Sequence, residues 1–162
     1  MIPPAVLINY FERNVQIVKL QAKGLSQADS LIQLPFRANC LNWVVGHLVT
    51  NRLTVLRLLE AEPSFDPGRL ARYQRESEPI TTEGAGVLPL AELLELLEQL
   101  QAQIAARLAE ASPEAFSREI IFFGTQPRPV AEWLFFFYFH DTYHVGQLEI
   151  LRQAAGTDDK II

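Results

Sequence analysis

The fold is decided by the stretch that runs from Pro129 to Gly156, PVAEWLFFFYFHDTYHVGQLEILRQAAG. Proline suits the first turn of a helix and glycine suits the position after its end, and no proline interrupts the residues between them. Apolar residues recur here at helical spacing, so the stretch predicts one long helix. The predicted inward stripe of this helix consists of Trp133, Phe137, His140, His144, Leu148 and Leu151.

Three further segments show helical periodicity, from about Pro4 to Lys23, from about Leu41 to Glu60 and from about Pro89 to Ala111. Gly24 marks the end of the first helix, and Asn39 is a candidate N-cap for the second. Four amphipathic segments separated by breaker-rich connections predict an all-α protein built as a four-helix bundle.

The connection between the second and third helices is unusually long. Residues Pro63 to Gly86 hold three prolines and three glycines among charged residues, which predicts an irregular crossover. Long loops in compact domains are often functional. A second segment, Ser117 to Thr125, contains an apolar run too short for a helix and is expected to be extended or a packed loop.

Length and composition indicate a single domain over residues 1–162, because 49% of the residues are hydrophobic and only 20% are charged. Fourteen basic residues against nineteen acidic ones give a net charge of −5, which argues against a nucleic-acid partner. The most apolar run, Trp133 to Phe139, is far shorter than the ~20 residues of a membrane span. We therefore expect no membrane association.

The N-terminus reads Met-Ile-Pro-Pro-Ala and lacks the basic region of a secretion signal. Cys40 is the sole cysteine, so no disulfide framework is expected, and a reducing, cytoplasmic location follows. Cys40 has no basic neighbour that would make it a nucleophile, and we interpret it as a buried residue.

Two histidines, His140 and His144, stand four residues apart on the last helix and so share one face. Both occupy stripe positions where hydrophobic residues are expected, which costs burial energy unless the ring nitrogens are satisfied. A divalent cation would satisfy them, and His47 on the second helix offers a third ligand. The alternative is a pair of core or surface histidines without metal.

Asp141 makes the run His-Asp-Thr-Tyr-His, which is similar to the zincin HExxH motif with Asp in place of Glu. It is a candidate catalytic base, although the shorter side chain reaches a metal-bound water less well. Alternatively, Asp141 accepts a hydrogen bond from a metal-binding residue, or it is a plain surface residue. The acidic triplet Glu92, Glu95 and Glu98 lies off the leucine stripe and is interpreted as a solvated face.

Several aromatic side chains are candidates for an apolar wall around a metal, although aromatics at helical spacing also occur as plain core. They are Trp43, Trp133, Phe136, Phe137 and Tyr138. Asn51, one turn beyond His47, is a candidate contact to a ligand or to substrate.

Two segments resemble the motifs of the DinB-like, or YfiT-type, metalloenzyme family: LNWVVGHL from Leu41 and FHDTYHVGQLEILRQAAG from Phe139. The resemblance implies an up-down-down-up four-helix bundle that forms a homodimer and binds nickel or zinc through His47, His140 and His144. Related branches use low-molecular-weight thiols such as bacillithiol or mycothiol. Val145 stands where many relatives place a basic residue.

These observations lead to three functional hypotheses. The first is a metal-dependent enzyme that activates a thiol or water for transfer to a small-molecule substrate, in the manner of a thiol transferase. The second is a hydrolase of a small amide or ester that uses Asp141 as its base. The third is a non-catalytic, dimeric metal-binding protein of a stress response.

Overall fold

A computed structural model of the chain describes residues 3–122, 124 and 126–161. Its four long helices are α1 (Pro4–Ala22), α3 (Leu41–Leu58), α4 (Leu90–Glu110) and α6 (Val130–Ala154). They confirm the all-α prediction, and each end lies within two residues of its predicted position.

The remaining elements are short. They are α2 (Gln27–Ser30), a 3₁₀ helix (Pro67–Tyr73), α5 (Pro113–Ser117) and the antiparallel two-residue strands β1 (Glu119–Ile120) and β2 (Arg128–Pro129). β1 confirms that the segment before α6 is partly extended. Phe123 and Thr125 of that predicted segment lie outside the described residues.

Helix ends follow the local sequence in most places. Gly24 and Gly156 both adopt positive φ, +81° and +88°, as expected for glycine just past a helix end. Helix α3 begins at Leu41 as predicted, but the prediction of its N-cap was wrong. Cys40 occupies the N-cap and makes no side-chain capping bond, while Asn39 lies one residue earlier, beside a cavity.

Contacts between the long helices give the topology. Asn14 Nδ2 of α1 donates to Thr142 Oγ1 of α6, and Arg152 Nη1 donates to the carbonyl of Gln21, so the two helices run parallel. Helices α1 and α4 run antiparallel. Gln101 Nε2, in the middle of α4, donates to the carbonyl of Ile8 near the start of α1. Gln27, which follows α1, accepts from the amide of Leu90 at the start of α4.

The two middle helices, α3 and α4, run parallel to each other and antiparallel to α1 and α6. Asn42 Nδ2 donates to the carbonyl of Leu88, just before α4, and Arg107 of α4 reaches the carbonyl of Leu59, just after α3. α3 is antiparallel to α6, and around the bundle the neighbours follow the order α1, α4, α3, α6. The topology is therefore up-down-down-up, as the family resemblance implied.

Because α3 and α4 are parallel, the chain must return along the whole bundle between them. The returning segment packs on α3 through Tyr73, whose hydroxyl donates to Asn42 Oδ1 and accepts from the Leu88 amide. Gly46 makes room for this ring, since a Cβ there would lie 2.1 Å from Tyr73 Cδ1. The crossover is thus fixed in place by buried contacts.

The four long helices share one hydrophobic core with the buried parts of the crossover. The leucines of α4 line it as predicted, and the triplet Glu92, Glu95 and Glu98 lies on the outer face, where Glu98 pairs with Lys19. None of the helices in the described ranges is long and apolar enough to cross a membrane.

Candidate metal centre

The bundle brings the three histidines together. His47 comes from α3, and His140 and His144 come from adjacent turns of α6; one ring nitrogen from each lies within 4.8 Å of the others. Nitrogens that each lie about 2 Å from one cation are at most about 4 Å apart, so small rotations of the rings would bring all three to a single ion. In the part of the chain that the structure describes, no fourth His, Cys, Asp or Glu joins this cluster.

Hydrogen bonds fix the orientation of two of the rings. His47 Nδ1 donates to the carbonyl of Tyr73 at 2.9 Å, and His144 Nδ1 donates to Gln147 Oε1 at 2.7 Å. A proton on Nδ1 leaves the lone pair of Nε2 directed at the cluster, which is the arrangement that outer partners impose on metal-ligating histidines.

The third ring, that of His140, faces the ring of His144 in an arrangement that a cation would explain. Its Nε2 lies 3.2 Å from Nε2 of His144, whose proton is already on Nδ1, and its own Nδ1 is buried without a partner. One of the two nitrogens of His140 must therefore lack a partner in either tautomer. A cation between the rings would accept both Nε2 lone pairs and leave the proton of His140 on Nδ1, so the two facing Nε2 atoms fit a metal.

All three imidazoles are held neutral at pH 7, the form that binds metal. Burial, together with the two neighbouring histidines, lowers the pKa of His140 to about 4. Burial also lowers the pKa of His144 to about 4, against the opposing effect of Gln147, and lowers the pKa of His47.

The histidines lie in the wall of a cavity of about 840 Å³. Trp43 stacks on the ring of His47 with a centroid separation of 4.6 Å, and Tyr143 and Ile150 form the wall on the α6 side. The mouth also carries charged residues of both signs: Arg37, Arg75, Glu76 and Glu78. A small molecule with an apolar part fits this space beside the histidines.

The crossover forms the opposite wall, so the prediction that this loop is functional gains a structural basis. Ser77 Oγ accepts a hydrogen bond from Trp43 Nε1 at 2.9 Å and donates to the carbonyl of Arg72. Sequence analysis missed the roles of Tyr73, Ser77 and Gln147. Gly46 was the available signal for Tyr73, since a glycine beside a candidate ligand indicates close approach of another group.

Asp141 lies in the core, on the side of α6 away from the cavity. Its Oδ2 accepts from Arg52 Nε at 2.5 Å, and both side chains are only 1% exposed. Of the alternatives left open for Asp141, the plain surface residue is therefore wrong. Arg52 also donates to Gln101 Oε1 and to the carbonyl of Phe11. Burial raises the pKa of Asp141, and the guanidinium opposes that shift.

Of the five candidate wall aromatics, Trp43 lines the cavity. Trp133 and Phe137 belong to the core, and Tyr138 stacks on Tyr10, because the cavity lies toward the C-terminal half of α6. Phe136 is partly exposed, and its ring centroid lies 6.3 Å from that of His140.

Two other candidates also have structural roles. Asn51 Nδ2 donates to the carbonyl of His47 within its own helix, and so does not extend into the cavity. Cys40 is buried as predicted, and burial raises the pKa of its thiol.

No curated protein matches the sequence. A comparison with protein families agrees with this arrangement. The family profile described as the DinB superfamily matches residues 11–148, a range that contains all three histidines, the whole of α3 and α4, and the larger part of α1 and α6. The chain therefore belongs to the DinB superfamily.

Proposed function

We propose that this protein is a metal-dependent enzyme that binds a divalent cation, nickel or zinc, through His47, His140 and His144. The observation that carries the proposal is the convergence of three neutral imidazoles, with nitrogens within 4.8 Å, in the wall of a large cavity. Three ligands leave coordination positions for a substrate, which is typical of catalytic sites and not of structural ones.

A divalent cation bound there would supply Lewis acidity and lower the pKa of a thiol or water. The residues of the chain prepare the site for it. Tyr73 and Gln147 hold two ligand rings in one tautomer, and Trp43 stacks on the ring of His47. A neutral ligand set leaves the full charge of a dication available to an anionic nucleophile.

We assign a thiol transfer as the reaction, with a low-molecular-weight thiol as cosubstrate. The thiolate sulfur attacks an electrophilic carbon of a small substrate, a carbon–sulfur bond forms, and the leaving group departs with the bonding electron pair. The buried pairing of Asp141 with Arg52 supports this over hydrolysis with Asp141 as the base, because that carboxylate does not line the cavity. The free thiol of Cys40 is compatible with a cytoplasmic location.

The first experiment measures metal content. The purified protein is loaded with Ni²⁺ or Zn²⁺, passed through a desalting column and examined by inductively coupled plasma mass spectrometry. We expect one metal per chain and loss of stoichiometric metal in His140→Ala. Asn51→Ala is the matched control, since Asn51 neighbours His47 but bonds only within its own helix. Equal metal in His140→Ala and the wild type would refute the ligand assignment.

The second experiment distinguishes the reactions. The metal-loaded protein is given an activated aryl halide with and without cysteine, and separately an aryl ester without thiol. Thiol transfer predicts a metal-dependent thioether product only when the thiol is present. Ester cleavage without thiol would favour the hydrolase, and stoichiometric metal with neither product in a broad substrate set would favour a non-catalytic metal-binding protein.

A further inference from the structure

Two segments of the chain form the mouth of the cavity that holds the histidines. Residues 36–39 lie just before α3, and residues 75–79 belong to the crossover between α3 and α4. The two segments are connected, because Gln33 Nε2 donates to the carbonyl of Ile80 at 3.0 Å. The mouth is therefore built from two segments that are held together.

The crossover side of the mouth is fixed both before and after Glu78. Before it, Ser77 Oγ accepts from Trp43 Nε1 and donates to the carbonyl of Arg72. After it, the carbonyl of Pro79 accepts from Arg72 Nη2 at 3.3 Å. The backbone of Glu78 is thus held in place, while its side chain remains exposed in the cavity wall.

Four charged residues line the mouth, and they differ in whether they have a partner. Arg75 Nε lies 3.7 Å from Glu76 Oε1. Arg37 and Glu78 make no hydrogen bond and no ion pair within the part of the chain that the structure describes. They carry opposite charges in the wall of one cavity, yet they do not pair with each other. Both can therefore pair with a ligand that carries a negative and a positive group.

We propose that Arg37 and Glu78 bind the α-amino-acid group of a small molecule that occupies the cavity. A guanidinium donates two parallel hydrogen bonds to a carboxylate, and the carboxylate of a glutamate accepts hydrogen bonds from an ammonium group. At neutral pH an α-amino-acid group carries one charge of each sign, as the two residues do. We call Arg37 and Glu78 the zwitterion subsite.

Ligands with a single charge match the mouth less well. A ligand with only a negative group would satisfy Arg37, but the mouth also holds the carboxylates of Glu76 and Glu78. A ligand with only a positive group would satisfy Glu78 and would meet Arg37 and Arg75. A ligand with both groups gives each charge of the subsite a partner of opposite sign.

The rest of the ligand lies among apolar side chains. Phe36, Tyr143 and Ile150 line the cavity and are 63%, 60% and 55% exposed, and Trp43 lines it beside His47. A volume of about 840 Å³ holds an amino acid with an aromatic side chain. The structure therefore favours an α-amino acid with a large apolar side chain.

This inference deepens the proposed function and rests on it in one respect, namely that the ligand is a substrate or product of the metal centre. A thioether formed on cysteine by thiol transfer belongs to this class, because it keeps a free amino group and a free carboxylate beside a new apolar side chain. S-benzylcysteine is such a thioether and has no free thiol, so it serves as a binding probe.

Isothermal titration calorimetry compares S-benzylcysteine with two analogues: 2-(benzylthio)ethylamine, which lacks the carboxylate, and 3-(benzylthio)propionic acid, which lacks the amino group. We expect each analogue to bind the wild type about 10-fold more weakly, since each loses one charge-assisted pairing at an exposed site. Arg37→Gln is expected to weaken binding of S-benzylcysteine by about 10-fold without weakening that of the amine. Glu78→Gln should do the same without weakening that of the propionic acid.

Arg13→Gln and Glu95→Gln are matched controls, because both residues are exposed outside the cavity wall and the charge changes are the same. Each control is expected to bind the three compounds as the wild type does. Equal binding of the three compounds to the wild type would overturn the proposal, as would no binding of S-benzylcysteine at millimolar concentration. An equal loss for all three compounds in Arg37→Gln would overturn it as well.

The titrations are made on zinc-loaded and on metal-free protein, so their result does not depend on turnover. Binding that follows the expected pattern, without any thioether product in the transfer assay, would refute the proposed reaction and support the subsite. Thioether formation by a wild type that binds the three compounds equally would support the reaction and overturn the subsite.

Discussion

Replacing Asp141 by alanine removes one partner of a buried ion pair and tests what that carboxylate does. Arg52 and Asp141 are each 1% exposed and lie 2.5 Å apart at Nε and Oδ2. Arg52 keeps the Gln101 amide oxygen and the Phe11 carbonyl as acceptors, and its guanidinium lies 4.4 Å from the Phe11 ring centre. These neutral contacts do not balance its charge.

Loss of one partner from a buried pair costs about 3–5 kcal/mol, because the other charge stays in the core without compensation. We therefore expect Asp141→Ala to lower the free energy of unfolding by about this amount, and Asp141→Asn to do so by a similar amount. Urea denaturation followed by circular dichroism gives the value, provided that the slope against urea is unchanged.

A double-mutant cycle isolates the pair from the rest of the network. Arg52→Met alone leaves a buried carboxyl that can take up a proton, and in the double variant Arg52→Met/Asp141→Ala no charge remains. We expect a coupling energy of at least about 2 kcal/mol. Asp141→Ala within about 1 kcal/mol of the wild type would refute the reasoning. Full stability of Asp141→Asn together with loss of turnover would instead identify a catalytic base.

Three further predictions concern the histidines and their supports. In the metal-free unfolded chain His140 and His144 bind protons below about pH 6.5, whereas in the folded protein they do so only near pH 4. The free energy of unfolding therefore falls as the pH drops from 6.5 to 4. The free energy of unfolding falls by about 2 kcal/mol once solvent exposure of both rings is taken into account. Urea unfolding at pH 7 and pH 4.5 measures this loss, and the double variant His140→Ala/His144→Ala should not show it. Gly46→Ala forces its Cβ into the Tyr73 ring and is expected to cost about 1–3 kcal/mol in the same assay; unchanged stability would contradict the packing. Gln147→Leu frees one ligand ring to rotate, and isothermal titration with Zn²⁺ should show affinity about 10–100-fold weaker, whereas an unaltered affinity would show that the amide does not orient the ring.

Much of the fold was predictable from local sequence. Helix starts and ends follow from Pro4, Gly24 and Gly156, and the leucine spacing of α4 identifies its buried face. The N-cap of α3 was not predictable in this way, because that helix begins without any capping side chain. Cys40 and Leu41, at the start of this helix, are buried against the rest of the bundle.

The candidate site was predicted in part. The spacing of His140 and His144 places both on one face of a helix, and this holds for any helix of that sequence. The role of Asp141 was left open because its position on a helix indicates which face the side chain occupies but not which residues of other helices it contacts. Arg52, 89 residues earlier in the chain, decides its surroundings.

The sequence by itself determined the four helices, their apolar faces and the two-histidine face of α6, because helical periodicity is a property of neighbouring residues. The tertiary structure decided which groups meet across the bundle. It brought His47 to the α6 pair, directed the Tyr73 carbonyl at His47 and enclosed Asp141 with Arg52. These contacts join residues far apart in the chain, and their energies depend on burial that arises only when the helices pack together.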